Sequence, residues 1–227
     1  MLDKIGRLIY ENYEKQLLLR DTKYKMLQAQ INPHFLYNTL NSLHWMIRAK
    51  RNDEAAEMTI ALGEILRAAL SKKQYFTVRE EVAMLRKYMV IQQYRYQKRI
   101  CFQLEEEVRG DYLIPHMTLQ PLVENAIYYG VEKMLTPCTI SVTVREREDD
   151  IWIQVSDTGP GMTEEELNAV RTFTVKPSGH GIGLKNIHER LRMAYEERLT
   201  FEIDSACGQG TSVRIVIPKI AEGELDV

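Results

Sequence analysis

A change in hydrophobic period near residue 100 is the sequence feature that most constrains the fold of this chain. Before that point, residues 3–48 hold one glycine, Gly6, and one proline, Pro33, and two further helix-like segments follow them. After it, apolar and polar residues alternate and β-branched side chains are frequent, as in half-buried strands. The strand-like segments read "ICFQLEEEV", "TISVTVRERE", "DIWIQVSD", "LTFEIDS" and "TSVRIVIP". The pattern predicts a helical first half and a second half built on a sheet.

The order of the segments predicts the fold class, which is α+β. Several strands follow one another without a helix between them, which indicates a mixed, partly antiparallel sheet. Helical segments near residues 117–129, 164–170 and 184–195 are expected to cover one face of that sheet. At 227 residues the chain exceeds a typical single domain, so we expect two units with a boundary near Arg99.

Composition excludes several classes of protein. A net charge of −2 argues against a dedicated nucleic-acid binder, because such proteins present a strongly basic face. The three cysteines are scattered and lack metal-ligand spacing, which predicts a reducing compartment without a disulfide framework. The apolar runs are shorter than the roughly 20 residues of a membrane helix, and the N-terminus has no secretory pattern. A cytoplasmic location is therefore expected.

The segment "QINPHFLYNTLNSLHWM" reads as a helix that is interrupted by Pro33, directly before His34. Pro33 leaves the carbonyl of Ala29 without a helical partner, which predicts a bend before the histidine. At 100° per residue, the narrow stripe expected to be buried consists of Leu36, Leu40, Leu43 and Ile47. The opposite, outward side carries His34, Asn38, Asn41 and Trp45. An exposed histidine is usually an ordinary surface residue, so the helix alone does not define a site.

The segment "LQPLVENAIYYG" is the first of three that together predict a nucleotide site. On a helix, one side carries Leu119, Val123, Ala126 and Gly130. Asn125 lies opposite, and Glu124 lies at the edge. The amide oxygen of an asparagine suits Mg²⁺, an ion that usually keeps several waters and bridges phosphates. Alone, this segment also fits a solvated helix face.

The segment "DTGPGM" places Asp157 at the end of a strand, followed by Gly159 and Gly161. Glycines let the backbone approach a flat ligand, and the carboxylate can accept a hydrogen bond from an exocyclic amine such as adenine N6. In isolation, the same pattern is commonly a tight turn.

The segment "GHGIGLKNIHERL" leads three glycines, Gly179, Gly181 and Gly183, into a helix at Leu184. The amides at a helix N-terminus suit phosphates. The spacing does not match a dinucleotide fingerprint, and the sequence contains no P-loop motif. The polar stretch before it, which includes Lys176, is expected to be either a lid or a plain surface loop.

Taken in order, these motifs resemble a sensor histidine kinase of the LytS/YesM-like class over nearly all of residues 20–218. "QINPHFLYNTLNSL" resembles the phosphoacceptor box, which implies that His34 is phosphorylated. "PLVENAI" resembles the N box, which implies Asn125 as a Mg²⁺ ligand and Glu124 as a polarising base. "DTGPG" resembles the G1 box, which implies that Asp157 contacts adenine. "GHGIGL" resembles the G2 box, and "GQGTSVRIVIP" resembles the final box, with Gly210 and Thr211 near the nucleotide.

The resemblance implies a helical dimerisation unit followed by the Bergerat-type α/β sandwich of the GHKL ATPases. The expected domains are a signalling helix at 1–26, a dimerisation and phosphotransfer unit at 27–99, an ATP-binding unit at 100–220 and a tail at 221–227. ATP and Mg²⁺ are the implied cofactors. The implied partners are a second copy of the chain and the receiver domain of a response regulator. The region would be the cytoplasmic part of a membrane-anchored bacterial sensor.

The function expected from this resemblance is autophosphorylation of His34, with Asn38 orienting the ring or a hydrolytic water. The phosphoryl group then passes to an aspartate of the regulator. Two alternatives remain, a GHKL serine kinase of the anti-sigma-factor kind and a degenerate nucleotide-sensing dimer scaffold. The scaffold is suggested by Tyr128 and Tyr129, which stand where family N boxes often carry Lys and His. The cations that would then serve the phosphates are Lys133, Lys176, Lys185 and Arg190.

Overall fold

The computed structural model describes residues 33–174 and 182–221. The chain divides into two compact units, Met1–Ser71 and Lys72–Val227. The expected helix at 1–26 lies outside the described residues, as does the expected tail after Ala221 and the bend before Pro33. Across the described ranges, no helix has both the length and the apolar content needed to span a bilayer.

The described part of the first unit contains two packed helices, α1 (Pro33–Arg48) and α2 (Asn52–Ala69). The buried side chains of α1 are Phe35, Thr39 and Met46. Thr39 satisfies its hydroxyl by donating to the Phe35 carbonyl at 2.7 Å, which makes a polar side chain tolerable in this position. The buried residues of α2 recur at helical spacing and are Ala55, Met58, Ala61, Leu62, Ile65 and Ala69.

The predicted buried stripe of α1 is wrong at two of its four positions. Leu40 is 53% exposed and Ile47 is 60% exposed, while Leu36 and Leu43 are half-buried. The outward side is confirmed for His34 and Trp45, both of which are exposed. The physical reason is that α1 carries two adjacent apolar stripes, and the one containing Phe35 and Met46 is the more deeply buried. A hydrophobic period identifies apolar faces, but it does not assign each face its partner.

The second unit contains a five-stranded sheet in the order β2-β4-β5-β7-β6. Its strands are β2 (Ile100–Glu107), β4 (Cys138–Glu146), β5 (Asp150–Asp157), β6 (Thr200–Ala206) and β7 (Gly210–Pro218). Strands β2 and β4 pair in parallel, and the other three pairings are antiparallel. The predicted mixed sheet is confirmed. Two three-residue strands that were not predicted, β1 (Tyr75–Thr77) and β3 (Leu113–Pro115), form a separate antiparallel pair.

The helices of the second unit are α3 (Val78–Tyr96), α4 (Leu119–Ala126), α5 (Glu164–Arg171) and α6 (Ile182–Tyr195). Short 3-10 turns follow α3 at Gln97–Arg99 and α6 at Glu196–Arg198. The predicted capping box at α3 is confirmed, because the Glu80 amide donates to the Thr77 hydroxyl and the Thr77 amide donates to the Glu80 carboxylate. A second capping box, which was not predicted, starts α5 at Thr163.

Helix α3 packs inside the second unit, since Val78, Val82 and Leu85 are fully buried against the elements that surround the sheet. The compact second unit therefore begins at Lys72, earlier than the sequence-based boundary near Arg99. The division into a dimerisation and phosphotransfer unit at 27–99 and an ATP-binding unit at 100–220 stays a prediction. Helix α3 follows directly from β1 and contacts α4, the helix that carries Glu124 and Asn125.

Candidate functional site

His34 lies in the first turn of α1, with its imidazole exposed. Its Nε2 is 3.0 Å from the side-chain nitrogen of Asn38, one turn further along the helix. An amide nitrogen only donates, so Nε2 accepts and the ring proton of the neutral imidazole belongs to Nδ1. The geometry presents an imidazole whose Nε2 is unprotonated and accepts a hydrogen bond from Asn38.

Asn125 lies in the last turn of α4 and faces the beginning of α6. Its side-chain nitrogen is buried and lacks a hydrogen-bond partner among the described residues. A Cβ atom added to Gly183 would stand 3.5 Å from that nitrogen, an ordinary van der Waals distance, so the start of α6 lies directly beside the Asn125 side chain. A buried amide nitrogen without a partner among the described residues is a group that a ligand or a bound water can satisfy.

Glu124 precedes Asn125 and is largely enclosed. Burial raises the pKa of the Glu124 carboxyl, while the side-chain amide of Gln120, which donates to it at 2.9 Å, opposes that shift. Burial and then the charge of Glu124 raise the pKa of Tyr88 on α3 well above its usual value. A carboxylate in this setting is a stronger proton acceptor than an exposed one.

Asp157 ends β5 and lies where three glycines come together. Its Oδ1 accepts from the Gly159 amide at 2.8 Å, and burial raises the pKa of the Asp157 carboxyl. A Cβ on Gly159 would lie 2.7 Å from Oδ1 and 2.8 Å from the Cα of Gly130. Only residues without a side chain fit this contact, so the backbone stays close to the carboxylate.

Gly161 and Gly210 each have a positive φ, at +66° and +78°. A Cβ on Gly210 would lie 1.9 Å from the carbonyl oxygen of Asp157, and a Cβ on Gly161 would lie 1.9 Å from that of Ala206. Both contacts are far inside van der Waals range, so glycine is required at both positions. The Thr211 hydroxyl, next to Gly210, lies 3.0 Å from the Ser205 hydroxyl.

The predicted nucleotide residues thus gather at one edge of the sheet, where β5 ends and β7 begins, and on the adjoining helices. Those that the structure describes in the second unit are Glu124, Asn125, Asp157, Gly159, Gly161, Gly183, Leu184 and Thr211. The remaining three, Lys176, Gly179 and Gly181, lie outside the described residues. His34 and Asn38 belong to the first unit.

A π-helix at Ile127–Glu132 continues α4 and was not predicted from the sequence. Its end is held by Arg99, whose guanidinium donates to the carbonyls of Val131 and Met134 at 2.6 Å each. The π-helix brings Gly130 against Asp157. Single turns of π-helix are frequent at functional sites, where they re-aim side chains.

The candidate cations that the structure describes differ in their contacts. Lys133 lies over the rings of Tyr128 and Tyr129, at 5.0 and 4.8 Å from their centroids. Lys185 is 3.8 Å from Glu189, and Arg190 donates to the Met117 carbonyl at 2.6 Å, an internal contact. Lys176 lies outside the described residues. Cation–π contacts with Tyr128 and Tyr129 therefore stabilise the position of the Lys133 ammonium group.

Residues 22–100 match the family model described as "Histidine kinase". Residues 110–221 match the model described as "Histidine kinase-, DNA gyrase B-, and HSP90-like ATPase". The chain belongs to the histidine kinase family. It is 41% identical over 221 residues to the sensor histidine kinase YesM of Bacillus subtilis, which covers 96% of this chain. It is 32% identical over 207 residues to the sensor protein LytS of Bacillus cereus, covering 89% of this chain.

This kinase region spans 37% of the length of that YesM protein and 35% of that LytS protein. A further relative, from Staphylococcus aureus, is the sensor histidine kinase/phosphatase LytS, at 31% identity over 88% of this chain and 35% of its own length. Among solved structures, the catalytic domain of histidine kinase ThkA matches with a TM-score of 0.51 and 19% identity. That match covers 64% of this chain and 96% of the other, and it confirms the expected fold.

Proposed function

We propose that this kinase region binds ATP in the second unit and transfers the γ-phosphoryl group to His34. The observation that carries the proposal is the exposed His34 ring with Nε2 as an acceptor, in a chain whose second unit has the ATPase fold of the histidine kinases. Phosphoryl transfer needs little covalent chemistry from the protein, so positioning and charge neutralisation supply most of the catalysis.

In this proposal, the Asp157 carboxylate accepts a hydrogen bond from the exocyclic amine of adenine. The raised pKa of the Asp157 carboxyl and its half-buried position fit a group whose solvation is replaced by a ligand. Gly159, Gly161 and Thr211 form the backbone that lies along the nucleotide. The glycines following residue 178 and Lys176 are proposed to meet the phosphates at the start of α6.

Asn125 is proposed to hold Mg²⁺. The test of fit is its buried amide, which lacks a partner among the described residues, since turning the amide end over end presents the oxygen that Mg²⁺ prefers. A magnesium ion held there would neutralise charge on the phosphates. The chain itself contributes the position of Asn125, whose buried side-chain nitrogen faces Gly183.

The transfer step uses the unprotonated Nε2 of His34. Nε2 gives up its hydrogen bond from Asn38 and forms the bond to the γ-phosphorus, while the bond from that phosphorus to the bridging oxygen breaks and ADP leaves with the electron pair. The product ring then transfers its Nδ1 proton to water. We assign Glu124 as the polarising base, because its raised pKa makes it a better acceptor than an ordinary glutamate.

The reverse, hydrolytic reaction is a second candidate activity, which Asn38 supports. Its side-chain nitrogen is 3.0 Å from Nε2 of His34, a position from which an amide also orients a water. A relative from Staphylococcus aureus is called a kinase/phosphatase. We expect Asn38→Ala to slow dephosphorylation of a phosphorylated receiver domain, while labelling of His34 persists. Equal phosphatase rates in wild type and variant would contradict this role.

The proposal has three further parts. The region forms a homodimer, it passes its phosphoryl group to a response regulator, and it lies on the cytoplasmic side of a membrane-anchored sensor. Dimerisation is supported by the apolar side chains of Leu40 and Ile47, which α1 leaves exposed. The relatives called a sensor histidine kinase and a sensor protein support a role in signalling, for which the regulator and the membrane anchor are proposed.

The decisive experiment labels purified protein with [γ-³²P]ATP. Wild type is compared with His34→Gln and with His44→Gln, a matched control because His44 is an exposed histidine on the same helix. We expect label in wild type and in the control, no label in His34→Gln, and loss of label in acid because phosphohistidine is acid-labile. Label that survives His34→Gln refutes the acceptor assignment.

The same assay separates the alternatives. Acid-stable label in wild type indicates a serine kinase. Measurable binding of ATP without any label indicates a degenerate scaffold, which is the outcome suggested by Tyr128 and Tyr129.

A further inference from the structure

Glu81, on α3, is a buried carboxylate that lies at the N-terminus of α4. Its side chain is only 4% exposed. Oε1 accepts from the Met117 amide at 2.8 Å, and Oε2 accepts from the amides of Thr118 and Leu119 at 3.0 and 3.1 Å. Nδ1 of His116 is 3.0 Å from Oε1. The carboxylate therefore satisfies amides that a helix start leaves without partners, and its charge complements the helix dipole.

The same loop is held from the opposite side by Arg190 of α6. Its guanidinium donates to the carbonyl of Met117 at 2.6 Å. Met117 has φ +61°, a left-handed conformation that non-glycine residues rarely adopt. Its amide is bound by Glu81 and its carbonyl by Arg190. This strained residue is thus fixed at both ends, and it joins α3, α4 and α6.

Helices α4 and α6 approach each other again at the candidate site, where Gly183 meets Asn125. Asn125 is six positions after Leu119 on α4, and Arg190 is seven positions after Gly183 on α6. At a rise of about 1.5 Å per residue, the two contacts lie roughly 10 Å apart along both helices. Helices joined at two such points keep a fixed orientation, whereas release of one point lets them turn about the other.

We propose that Glu81 is a positioning residue for the nucleotide site. Through Met117 and Arg190, it sets the place of Asn125 relative to the start of α6. The inference rests on the proposed function, in which Asn125 serves the magnesium-bound nucleotide. Glu81 touches neither the nucleotide nor His34 in this account, and it acts only through the loop that it holds.

The test compares Glu81→Gln with wild type. The glutamine keeps the shape of the side chain but has one acceptor oxygen where the carboxylate has two. The matched control is Glu105→Gln, because Glu105 makes a surface ion pair with Arg145 and takes no part in the loop. The readouts are Tm, the Kd for ATP with Mg²⁺ and with EDTA by calorimetry, and KM and kcat for labelling of His34.

We expect Glu81→Gln to raise the Kd and KM for MgATP about tenfold, the size of effect usual for partners that orient a metal ligand. The Kd in EDTA should rise less, since the displaced group is the proposed metal ligand. A merely structural role gives a different result, namely a lower Tm and a smaller active fraction, with the Kd of the folded protein unchanged. That result overturns the proposal.

Where Glu81→Gln does not fold, Arg190→Lys decides, because it keeps the positive charge but loses the fork that reaches Met117. An unchanged Kd for MgATP in the folded Arg190→Lys protein overturns the inference, and a rise that exceeds the rise in EDTA supports it. Absence of MgATP binding by wild type overturns the proposed function and the inference with it. Wild-type binding with an unchanged Kd in the deciding variant overturns the inference alone.

Discussion

Substitution of Gly210 by alanine tests whether the backbone around Asp157 is as tightly determined as the geometry indicates. The matched control is Gly208→Ala, because Gly208 has nearly the same φ, +75° against +78°, yet a Cβ there meets nothing within 4 Å. Both variants carry the cost of a left-handed alanine, about 1 kcal/mol. Only the alanine at 210 also collides with a carbonyl oxygen, that of Asp157, at 1.9 Å.

The size of the difference follows from that collision. Cβ contacts under 3.0 Å essentially never occur, so the Asp157 carbonyl must move by more than 1 Å. Such overpacking costs roughly 1–3 kcal/mol or more beyond the shared conformational cost. For a chain of 227 residues, with about 2–4 °C of Tm per kcal/mol, we expect Gly208→Ala to lower Tm by about 3 °C and Gly210→Ala by about 10 °C.

Differential scanning fluorimetry gives both Tm values, and calorimetry gives the Kd for MgATP. We expect the alanine at 210 to weaken nucleotide binding as well, because the moved carbonyl belongs to the residue proposed to contact adenine. The alanine at 208 should leave the Kd at the wild-type value. Equal Tm and equal Kd for Gly208→Ala and Gly210→Ala would refute the reasoning.

Three further predictions concern single properties of the site and of α1. Asp157→Asn should raise the Kd for MgATP by about tenfold or more, since a hydrogen bond to a charged group contributes roughly 1.5–3 kcal/mol; an unchanged Kd by calorimetry contradicts this. Burial raises the pKa of Glu124 in the folded protein above its value in the unfolded chain. Ionisation of this carboxyl therefore lowers the free energy of unfolding as pH rises through the folded-state pKa. Glu124→Gln should therefore raise Tm at pH 7 to 8, with the gain vanishing near pH 4, as scanning fluorimetry would show. Leu40→Glu combined with Ile47→Glu should shift the protein from dimer to monomer in sedimentation, and an unchanged mass would exclude this face.

Much of the second unit was predictable because its sheet is half-buried. Alternation along β5 places Ile151, Ile153 and Val155 on one buried face, and the sequence shows that alternation directly. Capping at Thr77 was equally visible, because the box requires only two residues at fixed spacing. The glycines around Asp157 were recognisable as candidates for close backbone approach, although the particular atoms they meet were not.

The unpredicted features depend on contacts that are distant in the sequence. Strands β1 and β3 have three residues each, too few for a period to register. Glu81 looks like an ordinary acidic residue near the start of α3, and its role arises only because residues 117–119 fold against it. Arg190 was considered as a cation for phosphates, yet burial and the Met117 carbonyl direct it inward. Polar residues of this kind carry no periodic signal.

The apolar stripe of α1 that we expected to be buried is partly exposed, which makes it a candidate surface for dimerisation. Within the first unit, Phe35 and Met46 of α1 are buried, and the stripe containing Leu40 and Ile47 is left partly in solvent. Full burial of such a side chain contributes about 1.5–3 kcal/mol, and a two-fold interface would bury two copies of each residue. Because Leu40 is 53% and Ile47 60% exposed, these four side chains supply about 3–7 kcal/mol, near the lower bound of the cost of association. The half-buried Leu36 and Leu43 are therefore expected to contribute too, so the whole stripe, and no single residue, is expected to determine the proposed dimer.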